Sequence, residues 1–474
     1  MSTRSTLVAQ DSHFLHPWHP FDYYQDTGPS FMLEGKGCHL YDEAGNAYLD
    51  AVGGLWCTNI GMGRQEMADA IAQQAVKLCY GNPFGNLSNR PAAELSAKLV
   101  ALAPPHLGHV FYGGGGSDVL DSAFRIIQYY QNCRGKRQKK HFIARDRAYH
   151  GTTYAMASMG AIPGNRPKDL DFITDTIHHI SAPYYYRNAS PGMTEEEYTA
   201  SLVKEFIAKI DELGGPEKVA AFYAEPVMGG GGVIPPPRGY LQRMAQVCKD
   251  NDILFVADEV VTGFGRLGHW FASKGEYNID ADIIAVAKGL TSGYQPLGAG
   301  LLSNAVWSVI SEYGKGRVLP NGYTYSAHTV ACAAALKNIE IFEREKILAH
   351  VMEVGAYFEQ QLKTLSDLGI VGDVRGVKFM MGIEFVADKK SKALFPDSAG
   401  VAMRMLNAAT ANGCSIDRPC CNEPVAFRRS IAIASVSAFV NCGTAREAAS
   451  AAATAWVCSA GERPRVRSRF CVAW

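Results

Sequence analysis

Three stretches, VAAFYAEPV (219–227), DILFVADEVVTGFGR (252–266) and ADIIAVAKGL (281–290), share one plan: a short apolar run that ends in an ionisable residue. The residues at those ends are Glu225, Asp258 (followed by Glu259) and Lys288. Runs of this kind, bounded by polar or turn residues, read as strands buried on both faces of a parallel sheet. Glu225 and Asp258 are 33 residues apart, and Asp258 and Lys288 are 30 apart, about one βαβ unit each. Open α/β sheets bind their ligands at the carboxyl ends of the strands. Glu225, Asp258 and Lys288 are therefore expected to converge on one crevice. A surface-seeking lysine or a turn-capping aspartate would explain either residue alone. Three polar strand ends in register favour a site.

The residue types suit one chemistry. Burial disfavours a lysine's ammonium, so the neutral amine becomes a nucleophile that can condense with an aldehyde. A carboxylate at a neighbouring strand end can pair with a protonated pyridine nitrogen and keep that ring electron-poor. Glu225 could orient Asp258 or hold the edge of such a ring.

A phosphate-binding element lies upstream. HVFYGGGGSDVLDSAFRIIQYY (109–130) is an apolar run, four glycines, Ser117 and then a helical pattern with apolar residues at 119, 120, 123, 126, 127 and 130. Glycines let the backbone approach an anion, and a helix N-terminus offers free N–H groups. The Gly-Lys-Ser/Thr ending of a P-loop is missing, and Asp118 stands where a dinucleotide fingerprint needs its last glycine. A second glycine run, 229–232, reads as a loop.

The alternation of short apolar runs and helical stretches from about 60 to 325 predicts an α/β fold with a mostly parallel sheet. Residues 1–58 read as an arm with short strands, including a hairpin at 39–52 around Gly45-Asn46. Residues 330–365 read as long helix and 370–386 as strands. The 474 residues suffice for two or three domains. Equal counts of 46 basic and 46 acidic residues argue against a nucleic-acid binder, and the basic run KRQKK (136–140) reads as a solvated face. No apolar run approaches the roughly 18 residues of a membrane span, and no signal peptide is seen, so a cytoplasmic protein is expected. Of twelve cysteines, six lie between Cys38 and Cys332 and read as buried thiols. His13, His16 and His19 have ligand-like spacing, but Pro17 and Pro20 argue against a helix there, and no metal is expected.

DEVVTGFGRLG (258–268), KGL (288–290), YHG (149–151), EPV (225–227) and TYSAH (324–328) together resemble the class III aminotransferases. GLWCTNIGMGR (54–64) and HFLHPWHPF (13–21) are similar to the branch acting on ω-amino acids or on amines with pyruvate. The resemblance spans roughly residues 13–415. It implies the type I pyridoxal 5'-phosphate (PLP) transferase fold, a large α/β domain with a small α+β domain built from both termini. The expected division is an arm and part of the small domain at 1–58, the PLP-binding domain at 59–327 and the remaining small domain at 328–474. By resemblance, Lys288 is the Schiff-base lysine and proton carrier, Asp258 the partner of the pyridine nitrogen, and Glu225 the acid supporting it. Val260 and Tyr149 match the residues on the two faces of the ring, and Gly116 and Ser117 match the phosphate cradle. Thr324 matches a phosphate ligand given by the partner subunit of a homodimer. Trp56 matches a substrate-pocket wall, and Arg418 stands nearest to the arginine that binds a substrate carboxylate.

The chain departs from the family at several points. Gly114-Gly115-Gly116-Ser117-Asp118 replaces the usual Asn-Ser-Gly-Ser-Glu, and Ala327 replaces a glycine. After about residue 427 the chain carries no lysine, lacks clean helical periodicity and ends Arg-rich, with six cysteines between 414 and 474. This composition suggests a frameshift near residue 427. The function implied is transfer of an amino group from an ω-amino acid, diamine or primary amine to a keto acid, pyruvate being the first expectation. The alternatives are a relative using 2-oxoglutarate or S-adenosylmethionine, or an impaired PLP-binding product if the tail is shifted. A nicotinamide oxidoreductase is disfavoured by the missing GxGxxG and by the lysine-ended strand.

Overall fold

The structure is a computed structural model, and it describes residues 4–18, 28–415 and 430–433. Near the N-terminus β1 (Met32–Lys36), β2 (His39–Asp42) and β3 (Ala47–Asp50) form an antiparallel meander. The 39–52 hairpin turns where Gly45 adopts a positive φ of 81°, as its sequence predicts.

The central sheet contains β4 (Leu107–Gly113), β5 (His141–Arg145), β6 (Ile177–Ile180), β7 (Val219–Ala224), β8 (Leu254–Asp258), β9 (Ile283–Val286) and β10 (Gly298–Ser303). Their spatial order is β4-β10-β9-β8-β7-β5-β6. β10 runs against both of its neighbours, and the other pairings are parallel. Every residue of β7, β8 and β9 is buried, which explains why these strands read as unbroken apolar runs. Burying a Val, Ile or Phe side chain contributes about 1.5–3 kcal/mol, so the centre of the sheet is the stiffest platform available. The helix Gly116–Cys133 lays Val119, Leu120, Ala123, Ile126, Ile127 and Tyr130 on this sheet, the face its spacing predicts.

β11 (Val371–Val377) and β12 (Met380–Phe385) pair antiparallel. β13 (Cys414–Ser415) pairs parallel with β3, and β14 (Ser430–Ile433) adds to β12. Buried side chains from 38–67 and from 334–414 form one cluster, including Cys38, Leu49, Ile60, Phe358, Phe379 and Cys414.

Two expectations need correction. The long helix over 330–365 is two helices, Thr329–Arg344 and Ile347–Lys363, broken where Lys346 takes a left-handed φ of 53°. The basic run 136–140 is not simply solvated. Lys139 is fully buried, its Nζ donating to the Asp252 carbonyl (2.6 Å), and Lys136 and Arg134 close on the Asp252 carboxylate. Together these cations hold that carboxyl down at about 2. Among the described residues no helix is long and apolar enough to cross a membrane. Seven described cysteines are free, with Cys79 exposed and Cys38, Cys248, Cys332 and Cys414 buried. Arg418, His19 and, apart from residues 430–433, the tail from 428 onward lie outside the described residues.

Candidate active site

Sheet order and register set the site. β7, β8 and β9 are neighbours, with Ala224 opposite Ala257 and Asp258 opposite Ala285. Glu225, Asp258 and Lys288 therefore emerge at one sheet edge and line a cavity of about 520 Å³. Trp56, Gly116, Ser117, Tyr149 and Val260 line the same cavity.

Lys288 follows β9 and opens a single turn of 3-10 helix, Lys288–Leu290. Its φ is 40°, a left-handed value that costs a non-glycine residue about 1–3 kcal/mol and is found mainly at functional sites. Its Nζ lies 5.5 Å from the centre of the Trp56 ring. Burial pushes the ammonium below the usual lysine range, while the charges of Asp258 and Glu225 pull the other way. Desolvation is the larger effect, so the ammonium is less favoured here than in water.

Asp258 is buried and doubly held. One carboxylate oxygen accepts from the Val260 N–H (3.1 Å), and the other meets His150 Nδ1 at 2.7 Å. Glu225 organises the walls. Its two oxygens accept from the N–H groups of Tyr149 (3.2 Å) and Gly229 (2.8 Å), and its backbone carbonyl accepts from Arg145 Nη2 (2.7 Å). Burial pushes the Glu225 carboxyl up, a rise that the charge of His150 opposes.

Trp56 is buried with φ 60°, and among the described residues its indole Nε1 has no hydrogen-bond partner. It packs so tightly on the second glycine run that a Cβ at Gly229 would lie 2.3 Å from Trp56 Cζ3. That run, expected as a plain loop, is a loop that forms part of the pocket, with Gly230 in its lining.

The first glycine run faces the cavity at the start of the 18-residue helix Gly116–Cys133. A Cβ at Gly115 would meet nothing within 4 Å, whereas one at Gly116 would lie 2.8 Å from Val260 Cγ2. Ser117 Oγ accepts from the Thr152 N–H at 3.2 Å. Asp118 accepts from the Gly114 N–H at 2.8 Å, so the shortened acid closes the glycine loop on itself.

Thr324 stands apart. It is exposed, its carbonyl accepts from Tyr80 Oη (3.0 Å), and it is absent from the cavity lining. His150, Trp18, Asn165 and Gln295 line the cavity, and none was singled out as a site residue by the sequence reading. His150 had one signal, its place beside Tyr149. Trp18, edge-on to Tyr149 at 6.5 Å, had only its presence in the arm motif.

The arrangement offers a buried lysine whose charged form is disfavoured, a buried carboxylate and a glycine-flanked helix start around one apolar cavity. That combination belongs to the PLP-dependent transferases. The aminotransferase class-III family model matches residues 23–463, and the chain belongs to that family. It is 41% identical to the diaminobutyrate–2-oxoglutarate transaminase of Halomonas elongata, over 86% of this chain and 88% of that one. Gamma-aminobutyrate transaminase 1, mitochondrial, of Oryza sativa subsp. indica is 39% identical over 79% and 73% of the two chains. Among solved structures, the ω-transaminase of Pseudomonas jessenii in complex with PMP superposes with a TM-score of 0.89 at 34% identity, over 96% of this chain and 98% of that one. The (S)-enantioselective ω-transaminase of Thermomicrobium roseum gives 0.90 at 34%, over 97% and 99%. The protein is an aminotransferase of fold type I.

Proposed function

We propose that this enzyme moves an amino group from an ω-amino acid, diamine or primary amine to pyruvate, in two half-reactions at one PLP site. The observation that carries this reading is the convergence of Lys288, Asp258 and the Gly115–Ser117 helix end on one cavity. PLP fits these residues: the N–H groups at the helix start and Ser117 would hold its phosphate, Asp258 its pyridine nitrogen, and Val260 and Tyr149 its two faces, with Glu225 supporting. When bound, PLP supplies an electron-poor ring that stabilises negative charge on the donor's carbon. Lys288 would hold the group covalently, and its Nζ would be the base that takes the proton from the donor's carbon. Asp258, held by His150 and the Val260 N–H, would offer its carboxylate to the pyridine nitrogen.

The walls supplied by Trp18, Leu55, Trp56, Ile162, Val227 and Val261 favour a donor with an apolar body. Arg418, if it reaches the pocket, would grip the acceptor's carboxylate with two parallel hydrogen bonds. The second reading is 2-oxoglutarate as acceptor, the keto acid for which the Halomonas relative is named.

We read the protein as a homodimer. Tyr80, Phe84, Leu87 and Tyr325 are exposed, with Tyr80 edge-on to Tyr325 (6.2 Å) and Phe84 against Gly322. A second copy covering this apolar patch would also carry Thr324 to the neighbouring phosphate cradle. The test is the visible spectrum of the purified protein with PLP, before and after donor. A PLP absorbance band that bleaches with donor and returns with pyruvate is expected. A protein that takes up no PLP would overturn the reading, and recovery with 2-oxoglutarate alone would reassign the acceptor.

A further inference from the structure

The second glycine run is gripped from outside the cavity by two arginines that share one tyrosine. Met228 and Ile234 exchange backbone hydrogen bonds of 3.1 and 2.9 Å, which close residues 229–233 into a loop. One side of this loop belongs to the pocket: Gly230 lines the cavity, the Gly229 N–H donates to Glu225, and Gly229 seats the Trp56 ring. On the other side, successive carbonyls accept from side chains. Arg147 Nη1 donates to Gly231 (3.0 Å), and Arg375 donates through Nε to Val233 (2.8 Å) and through Nη2 to Gly232. Both guanidinium groups lie over the Tyr184 ring, 5.6 and 4.7 Å from its centre. Tyr184 Oη donates to Glu384, which also accepts from Arg375 Nη1 (2.8 Å) and from Arg187 Nε.

The loop needs this hold. Val233 is fully buried with φ 48°, a value at which a β-branched residue is an outlier. Such a conformation persists only where its surroundings over-determine it. Arg375 belongs to β11 and Glu384 to β12, so the grip comes from the C-terminal sheet. Gly382, also in β12, allows the close approach, because a Cβ there would lie 3.0 Å from Val233 Cβ. The planar fork of Arg375 meets two carbonyls and a carboxylate at once, which the single ammonium of a lysine does not match.

We propose that Arg375 and Arg147 are positioning residues that set donor specificity. By fixing the carbonyls of 231–233 they fix the Gly229–Trp56 wall, against which the donor's apolar body packs. The inference rests on the reading of this cavity as the amine site. Neither arginine is among the described residues that line the cavity, so both act through the loop.

The test compares the full-length, PLP-loaded protein with Arg375→Met, Arg375→Lys, Arg147→Met and the double methionine variant. Glu384 keeps Arg187 and Tyr184 when Arg375 is replaced, so the fold is expected to survive. Hydrogen exchange read by mass spectrometry reports on the loop without any turnover. The amides of Gly229, Gly232 and Val233 are all bonded, and in Arg375→Met they should exchange about tenfold faster. With pyruvate as acceptor, KM for 1-phenylethylamine should rise about tenfold while kcat stays within about threefold, and KM for 2-aminopropane should stay within about twofold. Arg375→Lys should recover melting temperature but not KM. The double variant should be little worse than Arg375→Met, since both arginines hold one loop. Unchanged exchange at 229–233, equal KM changes for the two amines, or full recovery of KM by lysine overturns the proposal. Turnover by the unaltered protein reports separately on the amine-site reading.

Discussion

His150 Nδ1 lies 2.7 Å from Asp258 Oδ2, and both side chains are almost completely buried. Both residues line the cavity, with the His150 ring edge-on to Tyr223 at 5.9 Å. Asp258 gains its orientation from this contact and from the Val260 N–H, and it gains no access to bulk water. On the role proposed for Asp258, His150 would act on the reaction by positioning that carboxylate.

Replacing His150 by Phe removes one of the two hydrogen bonds to a buried carboxylate. Hydrogen bonds to charged groups contribute about 1.5–3 kcal/mol, or about 10–100-fold in rate at 1.4 kcal/mol per decade. The expected result is a kcat lower by that factor with KM for the donor little changed, together with a shifted absorbance of the PLP-loaded protein. His150→Asn, which can still donate, should recover part of the loss. A purely structural role would lower thermal stability and leave the spectrum in place. Steady-state kinetics and the visible spectrum check this.

The buried Lys288 ammonium costs the PLP-free protein stability. An unfolded lysine keeps its proton to about pH 10.4, while burial lowers the folded pKa. Between the two values the unfolded state binds more protons, so stability rises with pH there; below the folded value the whole cost is felt. Lys288→Met should therefore be more stable than the parent at neutral pH, and the difference should shrink as pH rises toward 10.4, at up to about 1.4 kcal/mol per pH unit. Urea unfolding of both proteins between pH 7 and 10 measures it.

Gly229→Ala would force the Trp56 ring from its seat, because the added Cβ would lie 2.3 Å from Cζ3. Overpacking of this kind costs about 1–3 kcal/mol. The Gly229 N–H also donates to Glu225, so displacement of the loop reaches the catalytic wall. A lower melting temperature and a loss of activity greatest for bulky donors are expected. A donor panel measured beside the melting curve tests both parts.

Ala327 occupies a left-handed conformation, φ 54°, where the family usually has glycine. That conformation costs an L-residue about 1–2 kcal/mol, and glycine gives back part of this through its looser unfolded state. Ala327→Gly should stabilise the protein by about 0.5–1 kcal/mol, read as a higher urea midpoint. A lower midpoint would show the turn to be unstrained.

Much of the site was legible because its strands are buried on both faces. The runs before Glu225, Asp258 and Lys288 needed no tertiary knowledge to be seen as strands, and their spacing placed the three residues in one crevice. The helix at 116–133 was legible for a similar reason, since its apolar spacing matches the face it buries. His150 was harder, because neither periodicity nor spacing says where a side chain beside Tyr149 points. The reversed direction of β10 follows from a short connection past Lys288 that carries no strand-direction signal. The break at Lys346 lacks the glycine or proline that usually marks a helix end. Thr324 reads as a site residue only through the family resemblance, since in one chain it faces solvent beside Tyr80.

The most direct test of Lys288 as the covalent anchor is borohydride reduction of the PLP-loaded protein, followed by proteolysis and mass spectrometry. Reduction turns a carbon–nitrogen double bond into a stable single bond and so fixes PLP where it was attached. The expected result is one phosphopyridoxyl group on the peptide containing Lys288, absent from Lys288→Met. A group on another lysine, or a protein that retains its PLP absorbance yet yields no adduct at Lys288, would contradict the account.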